Sequence, residues 1–157
     1  MDRINKIFKN NKYREYLNKN NICERDRIFC KHNMEHFLDV ARIAYIKVLE
    51  EKIEVSKEII YAIALLHDIG RFVEYEGGEK HNKESYKLSL PILKECGFNK
   101  EEIEIILSAI LNHRNKDSKG LDRIIYLADK ESRACFLCKG EKFCKWEKSK
   151  KNLDIII

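Results

Sequence analysis

The stretch Ser56-Lys57-Glu58-Ile59-Ile60-Tyr61-Ala62-Ile63-Ala64-Leu65-Leu66-His67-Asp68-Ile69-Gly70 decides the reading of this chain. Ser56 is a preferred N-cap residue, so a helix is predicted to begin after it. From Ile59 to Leu66 every face of that helix is apolar, which places it in the centre of a domain rather than at its surface. Those eight residues fall well short of the roughly 18 needed to span a bilayer. The buried helix then runs into His67 and Asp68, two groups that are costly to bury unpaired. Gly70 is predicted to let the backbone turn there.

Working outward, a charged first helix is predicted over Ile4 to Lys19, followed by an Asn-rich break at Asn18 to Asn21. Phe37, Val40, Ala41, Ala44, Tyr45, Val48 and Leu49 form one apolar stripe, on a helix expected from about Asp26 to Glu51. The loop from Tyr75 to Lys80 carries Gly77-Gly78 and delivers His81. A helix from about Asn82 to Cys96 should bend near Pro91 and stop at Gly97. Asn99 with Glu102 resembles a capping box, and opens a helix that points Ile103, Ile106, Leu107 and Ile110 inward, with His113 continuing the stripe. Leu121, Ile124, Ile125 and Ala128 give another inward face, with Asp129 at its edge. The pattern predicts an all-α, single-domain bundle of five to seven helices. It divides into an N-terminal helical extension (1–31), a core (32–133) and a Cys- and Lys-rich tail packed on it (134–157).

Composition agrees. Among 157 residues there are one Pro and six Gly, with 44% hydrophobic and 36% charged side chains, which favours helices and argues against disorder. A chain of this length buries roughly 70% of its unfolded surface, enough for one real core. The 31 Lys and Arg against 26 Asp and Glu leave +5. Both signs are interspersed, so no basic stripe of a specific nucleic-acid binder is present. A mildly basic surface suits an anionic small molecule. The absence of a signal-peptide pattern and of a membrane span leads to the expectation of a cytoplasmic protein with reduced thiols.

The chemistry is concentrated in the histidines. The chain has five: His32, His36, His67, His81 and His113. A single His beside a core is ordinarily a neutral ring satisfied by a carbonyl. Four of them, together with Asp68 and Asp129, come from five separate segments and all occupy inward edges near helix ends or a loop. A divalent cation accounts for all six groups at once, because it draws carboxylates and neutral imidazoles into one dry pocket.

His36-Phe37-Leu38-Asp39-Val40-Ala41, then His67-Asp68-Ile69-Gly70-Arg71, His81, His113 and Leu127-Ala128-Asp129 resemble the HD-domain metal-dependent phosphohydrolases in order, interval and helical context. The resemblance covers about two-thirds of the chain. The run Leu121 to Asp129 is similar to the last motif of a dinuclear branch that includes bacterial dinucleoside tetraphosphate hydrolases; the Cys-rich tail departs from that pattern. The resemblance implies that His36, His67, Asp68 and Asp129 hold one metal, and that His81 and His113 hold a second with Asp68 bridging. Mixed His and carboxylate ligands suit iron, manganese, zinc or cobalt. It also implies that a metal-activated hydroxide attacks phosphorus in line, cleaving a phosphoester or phosphoanhydride of a small phosphorylated substrate, a nucleotide above all.

Arg71 after the His-Asp turn and Lys130 after Asp129 are the favoured phosphate clamps, with Arg114 and Arg133 as further candidates. Read as part of the same helix, His32 lies on one face with His36, as a contact supporting the ligands or the substrate or as a surface residue of the first turn. The tail motif Cys135-x2-Cys138-x5-Cys144 could form a second metal site. It would need a fourth ligand from Cys23, Cys30 or Cys96, or an exogenous one; ordinary reduced thiols are the simpler reading. Two other functions share the ligand set: a di-iron oxygenase of the same family type, and a non-catalytic module that senses a nucleotide or metal.

Overall fold

In the computed structural model, which describes residues 1–157, Asn10 ends α1 (Asp2–Lys9) and starts α2 (Asn11–Cys23). Its side-chain oxygen accepts from the Lys12 and Tyr13 amides at 3.0 and 3.2 Å, a cap that divides the single helix expected over Ile4 to Lys19 into two. The expected break at Asn18 to Asn21 is absent, and α2 runs through it. The reason is Asn20, which is fully buried. Its amide donates to the Asp68 carbonyl at 2.9 Å and accepts from the Phe72 amide at 2.8 Å. Those tertiary bonds outweigh the weak helix propensity of Asn.

Next comes α3 (Met34–Glu50), which starts later than expected because the Asn33 side chain accepts from the His36 amide at 3.1 Å and caps it there. Phe37, Val40, Ala41, Ala44 and Val48 are buried as the stripe predicted, Tyr45 is half-buried and Leu49 is exposed. In α4 (Lys57–Leu66), capped by Ser56, Ile59, Ile60 and every residue from Ala62 to Leu66 are buried, so the apolar helix is central. It packs against α3, α1 and α7 (Lys100–Asn112). Between α4 and α7 lie the short α5 (Arg71–Tyr75) and α6 (His81–Glu95), and α8 (Gly120–Glu131) closes the bundle against α3 and α7. The Asn99–Glu102 capping box is present, and Gly97, at φ 85°, ends α6 in the left-handed conformation. Seven helices of eight residues or more and the five-residue α5 make an all-α single domain. Ile4, Ile7 and Tyr13 belong to the same hydrophobic core as α4. No helix is long and apolar enough to cross a membrane.

Gly70 has a different role from the one expected. Its φ is −88°, a conformation open to any residue. A Cβ there would lie 2.5 Å from the Ser85 backbone nitrogen and 2.8 Å from the Glu84 Cβ, so glycine is required for α6 to approach the His-Asp turn. The Gly70 amide donates to the Ser85 hydroxyl at 2.9 Å across that contact. After α8 the tail forms three 3-10 turns. It is tied down by the Asn152 amide, which donates to the carbonyls of Lys130, Glu131 and Arg133 at 2.8 to 3.2 Å, satisfying the open end of α8.

Asn20→Ala leaves the buried Phe72 amide without a partner and the Asp68 carbonyl with the Arg71 amide alone, at 3.2 Å. It should lower the unfolding free energy by about 2–3 kcal/mol, read from the urea midpoint; an unchanged midpoint would contradict the assigned brace.

Candidate metal centre

Four helix ends and one loop place the histidines. His67 follows the last residue of α4, and its Nδ1–H donates to the Ala64 carbonyl at 2.8 Å. His113 follows the last residue of α7 and repeats the arrangement, Nδ1–H to the Ile110 carbonyl at 2.7 Å. His36, in the first turn of α3, has Nδ1 at 3.2 Å from the Ser132 hydroxyl, which itself donates to the Asp129 carbonyl at 3.0 Å. His81 opens α6, and both its backbone amide (2.9 Å) and its Nδ1 are directed at one oxygen of Glu74. In each ring Nδ1 carries the proton toward an acceptor outside the site. Each Nε2 therefore presents a bare lone pair inward.

Those lone pairs converge on two carboxylates. Asp68 divides its oxygens: Oδ2 is 3.5 Å from His67 Nε2, whereas Oδ1 is 3.1 Å from His81 Nε2 and 3.5 Å from His113 Nε2. Asp129 Oδ1 lies 3.5 Å from His36 Nε2 and 3.9 Å from His67 Nε2. The Nε2 atoms of His81 and His113 are only 3.2 Å apart. His36 Nε2, His67 Nε2 and Asp68 Oδ1 are buried without a hydrogen-bond partner. Acceptors gathered against acceptors in a buried pocket repel one another unless a cation lies between them. Two donor groups result, each with its donor atoms within 4.8 Å: His36, His67, Asp68 and Asp129, and Asp68, His81 and His113. Both fit a divalent transition metal, the first with four ligands and the second with three and open positions.

Electrostatics prepare the groups for that use. Burial, then the neighbouring imidazoles, pulls His36 down to about 3, and burial pulls His67 to about 4, so both rings are neutral ligands at pH 7. Burial pushes Asp68 up, but Arg71 and the surrounding imidazoles overcome it and hold the carboxyl well below its usual range. Asp129 is likewise held down, against burial, by Lys130 and His67.

The expected cations all lie around this centre. Arg71 Nε donates to Asp68 Oδ2 at 2.9 Å, Lys130 pairs with Asp129 Oδ2, and Arg133 Nη2 is 3.9 Å from the same oxygen. Arg114 is half exposed, 3.8 Å from Glu74. All four border one cavity of about 340 Å³, together with His32, His81, His113 and Asp129. His32 is neither on the first turn of α3 nor at the surface: it precedes the Asn33 cap and is 7% exposed. Its Nδ1 is 2.6 Å from Glu24 Oε1, and its Nε2 is 3.8 Å from Asp68 Oδ2. Glu24 also takes the Tyr75 hydroxyl; burial pushes it up, but His32 and Tyr75 bring it down to about 2. Glu24, Glu74, Ser132 and Asn20 were missed by the sequence reading. Only Glu74, an acid between the His-Asp turn and His81, carried a local signal.

An all-helical bundle that gathers four histidines and two aspartates into two donor groups able to hold a metal ion has the make-up of a metal-binding domain of the histidine–aspartate type. The HD domain family model matches residues 33–134, and the chain belongs to that family, whose members are generally metal-dependent phosphohydrolases. A protein of Clostridium beijerinckii, described as uncharacterized, is 49% identical over 155 residues, covering 99% of each chain. No solved structure matches.

Asp68→Ala removes the one group shared by both donor sets, so metal analysis should find neither ion. His113→Ala should lose one ion and keep the other, and equal loss in both variants would contradict the division. In the metal-stripped protein the depressed His36 and His67 make the unfolded chain the better proton acceptor below its ordinary pKa of about 6.5. Stability toward urea should therefore be full above that pH and fall steadily toward pH 4.

Proposed function

We propose that this protein is a dinuclear metal-dependent phosphohydrolase acting on a small phosphorylated substrate, a nucleotide by preference, in the cytoplasm. The observation that carries the reading is the shared orientation of charge. His81, His113 and Asp129 border the 340 Å³ cavity, and Arg27, Arg71, Arg114, Lys130, Arg133 and Lys151 line it too, so cations outnumber the two acids in its wall, Glu74 and Asp129. The volume lies in the range of small-molecule sites, and the lining selects an anion. Tyr126 and Trp146 supply flat apolar wall, and Arg133 lies 3.9 Å over the Trp146 ring, an arrangement that suits a planar base beside a phosphate.

Divalent cations held by the two donor groups would lower the pKa of a water and polarise a phosphoryl oxygen. The chain's own residues do the rest. Asp68 and Asp129 stay ionised through Arg71 and Lys130, so the ligand set keeps its charge across the working pH range. Arg71 commits Nε to Asp68, and its guanidinium has four further N–H donors for substrate oxygens. Arg114, half exposed and only loosely paired with Glu74, is free to meet an outer phosphate. Glu74 and Ser132 orient His81 and His36.

A panel of nucleotides and phosphoesters offered to the metal-loaded protein should give phosphate or nucleoside phosphate release that a chelator abolishes. Arg114→Ala should raise KM about tenfold while kcat stays within about two-fold, the signature of lost ground-state binding. Metal-dependent oxygen consumption without phosphate release would establish the oxygenase reading instead, and tight nucleotide binding without turnover the sensor reading.

A further inference from the structure

Three of the six cysteines border this cavity, and Cys138 lies between two of them in the same tail loop. Cys30 lies two residues before His32, and Cys135, Cys138 and Cys144 lie in the tail. The tail loop rests directly on the segment that holds Cys30. A Cβ on Gly140 would lie 2.9 Å from the Ile28 carbonyl and 3.2 Å from the Phe29 ring, so glycine is what permits the approach. The tail cysteines each begin or end a tight turn: the Cys138 amide donates to the Cys135 carbonyl, the Glu141 amide to the Cys138 carbonyl and the Cys144 amide to the Glu141 carbonyl, all at 3.1 Å. Cys30, Cys135 and Cys144 border the same cavity. Burial pushes the Cys30 thiol up, Arg133 opposes it, and Cys135 and Cys138 raise it further, which puts Cys138 in the same electrostatic neighbourhood. None of the four is in a disulfide.

Basic side chains surround the four cysteines. Lys151 is anchored against the turn at Glu141, 3.0 Å from its carbonyl and 2.7 Å from its carboxylate, and Arg27 Nε donates to the Cys30 carbonyl at 2.8 Å. With Arg133 they bring positive charge to a group that would otherwise accumulate negative charge. Cys23, at the exposed end of α2, and Cys96, in the hydrophobic core, lie elsewhere.

Spacing selects the occupant. The donor groups of three or more that converge within 4.8 Å are both made of His and Asp, and no three of the sulfurs come that close together. A single zinc ion at about 2.3 Å from each thiolate requires sulfurs within about 4 Å of one another. An iron–sulfur cluster is a larger body, and its four thiolates stand correspondingly farther apart. We propose that Cys30, Cys135, Cys138 and Cys144 hold an iron–sulfur cluster that shares a wall with the His/Asp centre. This reverses the simpler reading of the tail as ordinary thiols, and it does not depend on the hydrolase assignment.

The test uses the full chain purified or reconstituted without oxygen, with iron, zinc and acid-labile sulfide measured together. The expected result is iron accompanied by sulfide, with visible absorption that bleaches on reduction. Sulfide should be lost in Cys138→Ser and in Cys144→Ser, kept in Cys23→Ser, and kept in Asp68→Ala even as the His/Asp metals leave. Alkylation of the wild-type protein with peptide mapping adds a readout without substitutions: Cys30, Cys135, Cys138 and Cys144 should react only after acid destroys the cluster, and Cys23 at once. A wild-type protein without sulfide, zinc as the only cysteine-dependent metal, sulfide retained in both tail variants, or immediate alkylation of all four cysteines overturns the proposal.

Discussion

Four imidazoles are each tied at Nδ1 to an outside acceptor, and their bare Nε2 atoms are thereby aimed at two buried carboxylates. Left without a cation, that arrangement sets lone pair against lone pair, and three of its atoms have no hydrogen-bond partner. The fold is organised to impose it nonetheless. Two of the rings cap the carbonyl ends of α4 and α7, one is set by the opening turn of α3, and one opens α6 under Glu74. Because Asp68 turns one oxygen to each donor group, displacement of the turn after α4 would disturb both at once. That explains the bracing around it, with Asn20 beneath its carbonyl and Gly70 admitting α6 against its far side.

The cations at the site serve two demands that pull in different directions. Burying Asp68 and Asp129 favours their neutral forms, which bind metal poorly, and Arg71 and Lys130 reverse that preference. The same two residues border the cavity a phosphorylated ligand would enter. A substitution that removes either charge therefore acts on the two carboxylates as well as on the wall of that cavity. Arg114, which faces Glu74 rather than a ligand carboxylate, separates the two effects.

What could be read in advance followed the range of the interactions. The all-round apolar α4, the Asn99 capping box and the Gly97 stop are local patterns, and all appear in the structure where expected. The six His and Asp groups were legible because their residue types are expensive to bury and recur at inward edges. The misreadings arose where a distant contact overruled a local rule. Asn20 looked like a helix breaker and is a buried brace to a turn 48 residues away. Asn33 moved the start of α3 past His32, which turned an apparent helix-face pair into two residues on different elements. Glu24 gives no sign in its own neighbourhood that it will meet His32 and Tyr75. Gly70 was located correctly but for a different reason, since its need for glycine comes from Glu84 and Ser85.

Both ends of the chain reach in to hold the backbone next to an aspartate of the two donor groups. From α2, Asn20 grips the Asp68 carbonyl; from the tail, Asn152 gathers the carbonyls of Lys130, Glu131 and Arg133 just past Asp129. Both side-chain amides lie outside the 33–134 stretch that defines the family. Anyone transplanting that stretch alone into a chimera would carry over every side chain of the two donor groups and leave behind the two struts that hold the backbone beside their aspartates.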